Sequence, residues 1–234
     1  MTEVLRAEGL TRVFAAPGGD VTAVREVDLT VSAGELVVIT GRSGSGKTTL
    51  LTMLGGLDRP TRGRVLLDEH DISTGDASHL LGERIASIFQ TAGLLPVLSA
   101  AENVEVPLRI RRTAVVEREQ RVIRALEAVG LADHARQRPA ELSGGQQQRV
   151  GIARALVMDP AVLIADEPTA QLDSETGAQI MDLIAGLVHE RGTAAVVATH
   201  DAAMLTRADR VLDLHDGVLR ELGPRALAAK TGHR

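Results

Sequence analysis

Nine residues, Gly41-Arg42-Ser43-Gly44-Ser45-Gly46-Lys47-Thr48-Thr49, restrict the possible folds of this chain more than any other segment. Their glycines let successive backbone N–H groups turn inward into an anion-binding nest, and a following helix points its positive end at the same place. Such a loop must be fed by a strand and must lead into a helix, which commits the region to an α/β core. Glu35-Leu36-Val37-Val38-Ile39-Thr40 reads as the buried strand. The pattern is G-x-x-x-x-G-K-[ST], the P-loop or Walker A. The chain has only two lysines, Lys47 and Lys230, and every other basic side chain is arginine. A compact ammonium fits beside phosphates already wrapped by backbone, where a planar guanidinium would not. Thr48 can offer its hydroxyl to Mg²⁺. The alternative, a Gly-rich turn that merely precedes a helix, is disfavoured by the strand that feeds the loop.

Around this loop the pattern alternates. Val4 to Leu10, Val24 to Val31 and Arg64 to Asp68 read as strands, with a turn at Pro17-Gly18-Gly19-Asp20. The P-loop helix is expected from about Lys47 to Leu57. From Gly75 to Ala140 the character is helical, with Val115, Val116, Val122, Ile123, Leu126 and Val129 at helical spacing and Gly130 suited to ending the helix. Beyond Pro139 the alternation returns. Val162 to Asp166 and Ala195 to Thr199 read as strands. Ile180, Leu183, Ile184, Leu187 and Val188 mark one helix face, ended by Gly192. Asp216-Gly217 turns a final hairpin. The expected domain is an α/β P-loop core and β subdomain formed by residues 1–74 and 141–234, with residues 75–140 as a helical insertion.

Composition narrows the function. A chain of 234 residues with 44% hydrophobic residues suits one domain with a lobe. A net charge of −5 and 1% aromatic residues argue against nucleic acid as a partner. The absence of cysteine excludes disulfide frameworks and thiolate zinc sites and fits a reducing compartment. Met1 to Arg6 lacks the layout of a secretory leader. Apolar runs such as Val162 to Ala165 are too short for a bilayer. The expectation is a cytoplasmic chain that reaches the inner face of the membrane through a partner.

Leu142-Ser143-Gly144-Gly145-Gln146 is the second strong pattern. A Ser-Gly-Gly turn opening a helix is another anion cradle, and one nucleotide hardly needs two within one subunit. The economical reading is that this cradle serves the nucleotide of a second copy; the plain one is a Ser-capped helix.

Together these segments resemble the ABC transporter ATPase family along nearly the whole chain. Gly41 to Thr49 is similar to its Walker A, and Leu142 to Gln146 matches its signature. Val162 to Thr169 resembles Walker B with the catalytic glutamate. Ile88-Phe89-Gln90 resembles the Q-loop, Gln171-Leu172-Asp173 the D-loop, and Thr199-His200-Asp201 the H-loop. Phe14 falls at the aromatic A-loop position. The resemblance implies a RecA-like core with an N-terminal antiparallel β subdomain and an inserted helical subdomain.

It also implies roles. Gly41, Ser43, Gly44, Ser45, Gly46, Lys47, Thr48 and Thr49 would bind ATP, with Phe14 stacking on adenine unless it is simply core. Thr48, Gln90 and Asp166 would serve Mg²⁺. Glu167 would polarise the attacking water, with His200 orienting it and Gln90 tethering the lobe. Ser143, Gly144, Gly145, Gln146 and Asp173 would act across a head-to-tail homodimer, with helix capping as the plainer alternative for Asp173. Two positions depart from the family's habit: Gly151 stands inside the signature helix, and Glu69 stands at a hairpin turn, whose geometry it is expected to alter.

Gly55 to Pro60, Gly93 to Pro96 and Ala101 to Val104 resemble the subgroup that includes MacB and LolD, which implies export or lipoprotein release. A nutrient-importer ATPase and a non-transport ABC ATPase stay open. Arg136 to Glu141 lacks the Gly-Glu-Arg-Gly element of fused exporters, which implies a separate permease. Leu94, Leu95, Val97 and Leu98 are either the groove for that permease or core of the lobe.

Overall fold

The computed structural model describes residues 2–74 and 82–223. The expected lobe boundary at Gly75 and Lys230 in the tail lie outside the described residues. One sheet is antiparallel, with order β2-β1-β4-β5, built from β1 (Glu3–Phe14), β2 (Val21–Ser32), β4 (Arg62–Leu67) and β5 (His70–Asp71). β1 and β2 run further than alternation predicts. Their ladder continues to Phe14↔Val21 through several register shifts. Each shift breaks the period of two, and the expected strand stops at Leu10, where shifts follow one another as far as Val13.

The turn from β4 to β5 keeps Asp68 and Glu69 left-handed, at φ 46° and 67°, between the paired Leu67 and His70. This is the ordinary two-residue hairpin geometry, so Glu69 does not alter the turn. It carries a side chain where glycine would be free of strain, and its carboxylate pairs with Arg6 at 2.9 Å.

The second sheet has order β10-β9-β3-β8-β7-β6. Its strands are β3 (Leu36–Thr40), β6 (Ile85–Ile88), β7 (Val162–Asp166), β8 (Ala194–Ala198), β9 (Arg210–His215) and β10 (Val218–Glu221). All neighbours are parallel except β9 and β10, joined by the predicted Asp216-Gly217 turn. β3 and β8 are wholly buried, which is why both read as continuous apolar runs. Their side chains alternate between two cores. Val37, Ile39, Val196 and Ala198 join the P-loop helix Lys47–Leu54 and the antiparallel sheet. Leu36, Val38, Ala195 and Val197 join the helical lobe and the helix Ser174–Arg191.

Two expectations need correction. The segment read as helical from Gly75 contains β6, whose four residues pair with β7 in the main sheet. Four residues at an edge carry too little pattern to separate a strand from a helix turn. The described lobe helices are Ala100–Ile110 and Val115–Ala128. In the second of these, Val122 and Leu126 are buried with Val129 just beyond, whereas Val115, Val116 and Ile123 are exposed. Apolar residues occupy more of that helix than its packed face. The P-loop helix also stops at Leu54, before the expected Leu57, because Gly55 and Gly56 end it. No helix among the described residues is long and apolar enough to cross a membrane.

Candidate active site

The P-loop leaves the C-terminal end of β3 and enters the helix at Lys47. Gly46 sits at φ 103° before the first helical residue, and a Cβ there would run into the carbonyl of Ala23. A Cβ on Gly41 would meet the carbonyl of Leu214 and lie 2.7 Å from Ser45 Oγ. Both glycines are therefore required by close backbone approach as well as by conformation. Lys47 Nζ donates to the carbonyls of Gly41 at 2.8 Å and Arg42 at 3.1 Å, which holds the ammonium across the loop.

Four parallel strands deliver their C-terminal ends to this place, where open α/β sheets present ligands. β3 brings the P-loop, β6 is followed by Gln90, β7 ends in Asp166 and Glu167, and β8 is followed by His200. These residues, with Ala23, line one cavity of about 570 Å³. Thr48 Oγ1 donates to Asp166 Oδ2 at 2.6 Å.

Glu167 adopts φ 46°, unusual for a side chain of its size. Its N–H is held by the carbonyl of Ala198 at 2.8 Å. Its carboxylate accepts from Thr199 Oγ1 at 3.2 Å and lies 3.0 Å from His200 Nδ1. An ionised carboxylate only accepts, so Nδ1 carries the proton in this pair. The Glu167 side chain is 17% exposed while His200 is 81% exposed, so a shielded carboxylate is steered by an open imidazole. Thr48, Asp166 and Gln90 supply a small set of hard oxygen donors beside the loop, which fits Mg²⁺, an ion that keeps several waters and binds with substrate phosphates.

Other predicted residues stand elsewhere. Ser45 is buried beneath the loop, its N–H closes on the carbonyl of Arg42 at 3.2 Å, and its hydroxyl has no partner. Phe14 is half-exposed at the end of β1, with the Arg12 guanidinium 4.7 Å above its ring, so the core alternative for Phe14 fails. Ser143 caps the helix Gly144–Leu156 in a reciprocal box with Gln146. Asp173 caps Ser174–Arg191 through the Thr176 N–H at 2.9 Å, and that bond holds its carboxyl below the usual range. Ser143, Gly144, Gly145, Gln146 and Asp173 do not line the P-loop cavity. Ser143 and Gly144 instead face solvent, while a Cβ on Gly145 would lie 3.4 Å from the Leu172 side chain of the D-loop segment.

Sequence reasoning missed three contributors. Ala23 forms a wall of the cavity from the other sheet, and no motif marks it. Thr199 stands in the H-loop pattern, which does not mark it as a partner of Glu167. Gln148 is 1% exposed and donates to the carbonyls of Phe89 at 3.0 Å and Pro168 at 3.3 Å. Its signal was a polar residue at a buried position of the helix period.

The family model described as ABC transporter matches residues 24–170. The chain is 41% identical over 224 residues to the lipoprotein-releasing system ATP-binding protein LolD of Alcanivorax borkumensis, covering 94% of this chain and 98% of that one. It is 42% identical over 229 residues to the macrolide export ATP-binding/permease protein MacB 2 of Aeromonas hydrophila. That match takes 97% of this chain but only 35% of the relative, so the chain spans about a third of the MacB relative's length. A dimeric post-hydrolysis structure of the ATP-binding cassette MJ0796, bound to ADP and Pi, superposes with a TM-score of 0.88 at 37% identity, covering 94% of this chain and 99% of that one. The chain belongs to the ABC transporter family and is an ATP-hydrolysing, ATP-binding cassette of it.

Proposed function

We propose that this chain is the ATPase subunit of an export or lipoprotein-release system, which hydrolyses ATP in a head-to-tail homodimer to drive a separate permease. The observation that carries the site assignment is the convergence of Lys47, the Thr48–Asp166 pair and the Glu167–His200 pair in one cavity at four strand ends. Phosphoryl transfer to water needs positioning and charge stabilisation more than covalent chemistry. Lys47 and the P-loop N–H groups hold the β- and γ-phosphates. Mg²⁺, when bound, neutralises phosphate charge there, and Thr48, Asp166 and Gln90 are the residues that would hold it. Glu167 orients and polarises the attacking water, fixed from two sides by Thr199 and His200. Phe14, with Arg12 behind one ring face, offers the other face to adenine.

The second half of the site comes from a second copy. Ser143 and Gly144 are exposed and stand off their own P-loop cavity, as a cradle for another subunit's γ-phosphate requires. The MJ0796 cassette is itself described as dimeric. The permease is proposed as a separate chain because LolD, matched over 98% of its length, is named as an ATP-binding protein alone. On this reading the subunit works in the cytoplasm, against the membrane only through that permease.

The test is Glu167→Gln. It removes the carboxylate and leaves the phosphate contacts, so ATP titration should stay within about threefold of wild type while phosphate release falls by about 10² or more. Light scattering should show this variant dimeric with ATP, and Ser143→Arg in the same background should remain monomeric while binding ATP. Full turnover by Glu167→Gln removes the assignment of Glu167, and a normal dimer with Ser143→Arg removes the trans role.

A further inference from the structure

The helix Gly144–Leu156 holds the segment after β6 at three successive turns along one stripe. At the first, buried Gln148 donates to the carbonyls of Phe89 at 3.0 Å and Pro168 at 3.3 Å, the residues beside Gln90 and Glu167. Its own Oε1 is buried without a partner, so the amide serves as a donor only. At the second, a Cβ on Gly151 would lie 3.3 Å from Ala92 Cα. The missing side chain allows backbone to lie against backbone, which accounts for a glycine in a helix interior. At the third, Arg154 Nη1 donates to Gly93 O at 2.9 Å and Nη2 to Ala92 O at 2.6 Å. No carboxylate lies within ion-pair distance of Arg154 among the described residues. Burial pushes its guanidinium pKa down. An apolar side chain would fill that space without removing a charge from water. What the guanidinium adds is a rigid fork that fixes two neighbouring carbonyls at once.

We propose that Gln148 and Arg154 are positioning residues that bind the signature helix and residues 89–93 into one moving body, so that displacement of the Ser143 end carries Gln90 with it. This rests on the reading that Ser143 meets the nucleotide of a second copy. Gln148 also ties the same helix to Pro168, beside the catalytic carboxylate. A shift of Ser143 therefore reaches the lobe joint and the position of Glu167 together. Exposed Leu95 follows the clasped segment two residues on, so it is carried with that segment.

The chain has no cysteine, so spin labels can be placed uniquely at Thr91, in the clasped segment, and at Glu127, on the helix that the signature helix holds through Arg149 and the Val129 carbonyl at 2.9 Å; both positions are exposed. In the otherwise native chain the distance distribution between them should be narrow, with and without ATP. In Gln148→Leu/Arg154→Leu it should broaden, and kcat for ATP should fall about tenfold with KM within about twofold. Arg154→Lys alone, which keeps a cation there but loses the planar fork, should already broaden the distribution, though less than the double variant. If the double variant does not fold, Gln148→Met and Arg154→Met taken singly carry both readouts. A distribution as narrow as wild type with unchanged kcat overturns the proposal. If Glu167→Gln instead stays monomeric with ATP, the dimer reading fails; the label distances, measured within one chain, still decide the clasp.

Discussion

On the proposed function, nucleotide affinity rests on Lys47. Its ammonium is held by two P-loop carbonyls, so it stays over the mouth of the loop rather than sampling solvent. Removing a charge-assisted contact of this kind is worth about 1.5–3 kcal/mol. Lys47→Ala should therefore weaken ATP binding by about tenfold to a hundredfold in a direct titration, with an unchanged melting temperature for the nucleotide-free chain. Affinity close to wild type would mean that the backbone nest alone carries the phosphates. The same scale shows why one glutamate differs from the other acids nearby. Asp166 accepts from Thr48, whereas Glu167 is turned by a left-handed backbone toward Thr199 and His200. That geometry gives the two neighbouring carboxylates different partners.

At the scale of elements, helix ends in the lobe are fixed by carboxylates whose charge matters. Ser99 and Glu102 form a reciprocal cap on Ala100–Ile110. The Ser99 N–H, helped by its hydroxyl, keeps the Glu102 carboxyl below its usual range. Glu105, on the same helix, is also held below that range. Burial works against its charge, but Arg109 and Arg118 more than offset it. For a depressed carboxyl the unfolded chain takes up its proton first. The stabilisation is thus complete above the ordinary carboxylate pKa of about 4.3 and is lost as pH falls through the lower folded value. Thermal melts of the native chain should drop as pH is lowered from about 5 to 3. Glu102→Gln keeps an acceptor for the Ser99 N–H but cannot titrate, so its melting temperature should fall less steeply over that interval. Parallel acid limbs for the two proteins would show that the cap does not contribute.

For the whole molecule, the proposed closure of two copies has to move the proposed permease. The apolar segment after Gln90 is divided by the fold. Leu94 packs against the core, while Leu95 and Val97 are 47% and 73% exposed. Buried Asn103 fixes this turn, accepting from the Leu95 N–H at 2.8 Å and donating to the carbonyls of Leu95, Leu98 and Ser99. The leucine is therefore displayed by a rigid support. Leu95→Glu should release the permease in co-purification and uncouple transport, with ATP binding by the isolated subunit within about twofold of wild type. Loss of ATP binding together with the complex would return Leu95 to the core, and full co-purification would move the docking surface elsewhere.

The sequence by itself determined the P-loop, the parallel core and the order of its motifs. Those features are written in local terms: glycines where backbone must turn inward, apolar runs where strands are buried on both faces, and Asp-Gly or Gly where a left-handed residue is needed. Gly192 at φ 73° and Gly130 at φ 66° end helices where the pattern placed them. The tertiary structure alone decided which side chains meet. β6 has too few residues to announce itself and becomes a strand only by pairing with β7. The bulges of β1 conceal half its length from a period of two. Thr199 gains its role because Glu167 turns toward it. Gln148 and Arg154 gain theirs because carbonyls distant in the chain come within reach of one helix face. Local propensity is set by neighbours in sequence, whereas a buried donor is defined by the acceptor that folding brings to it.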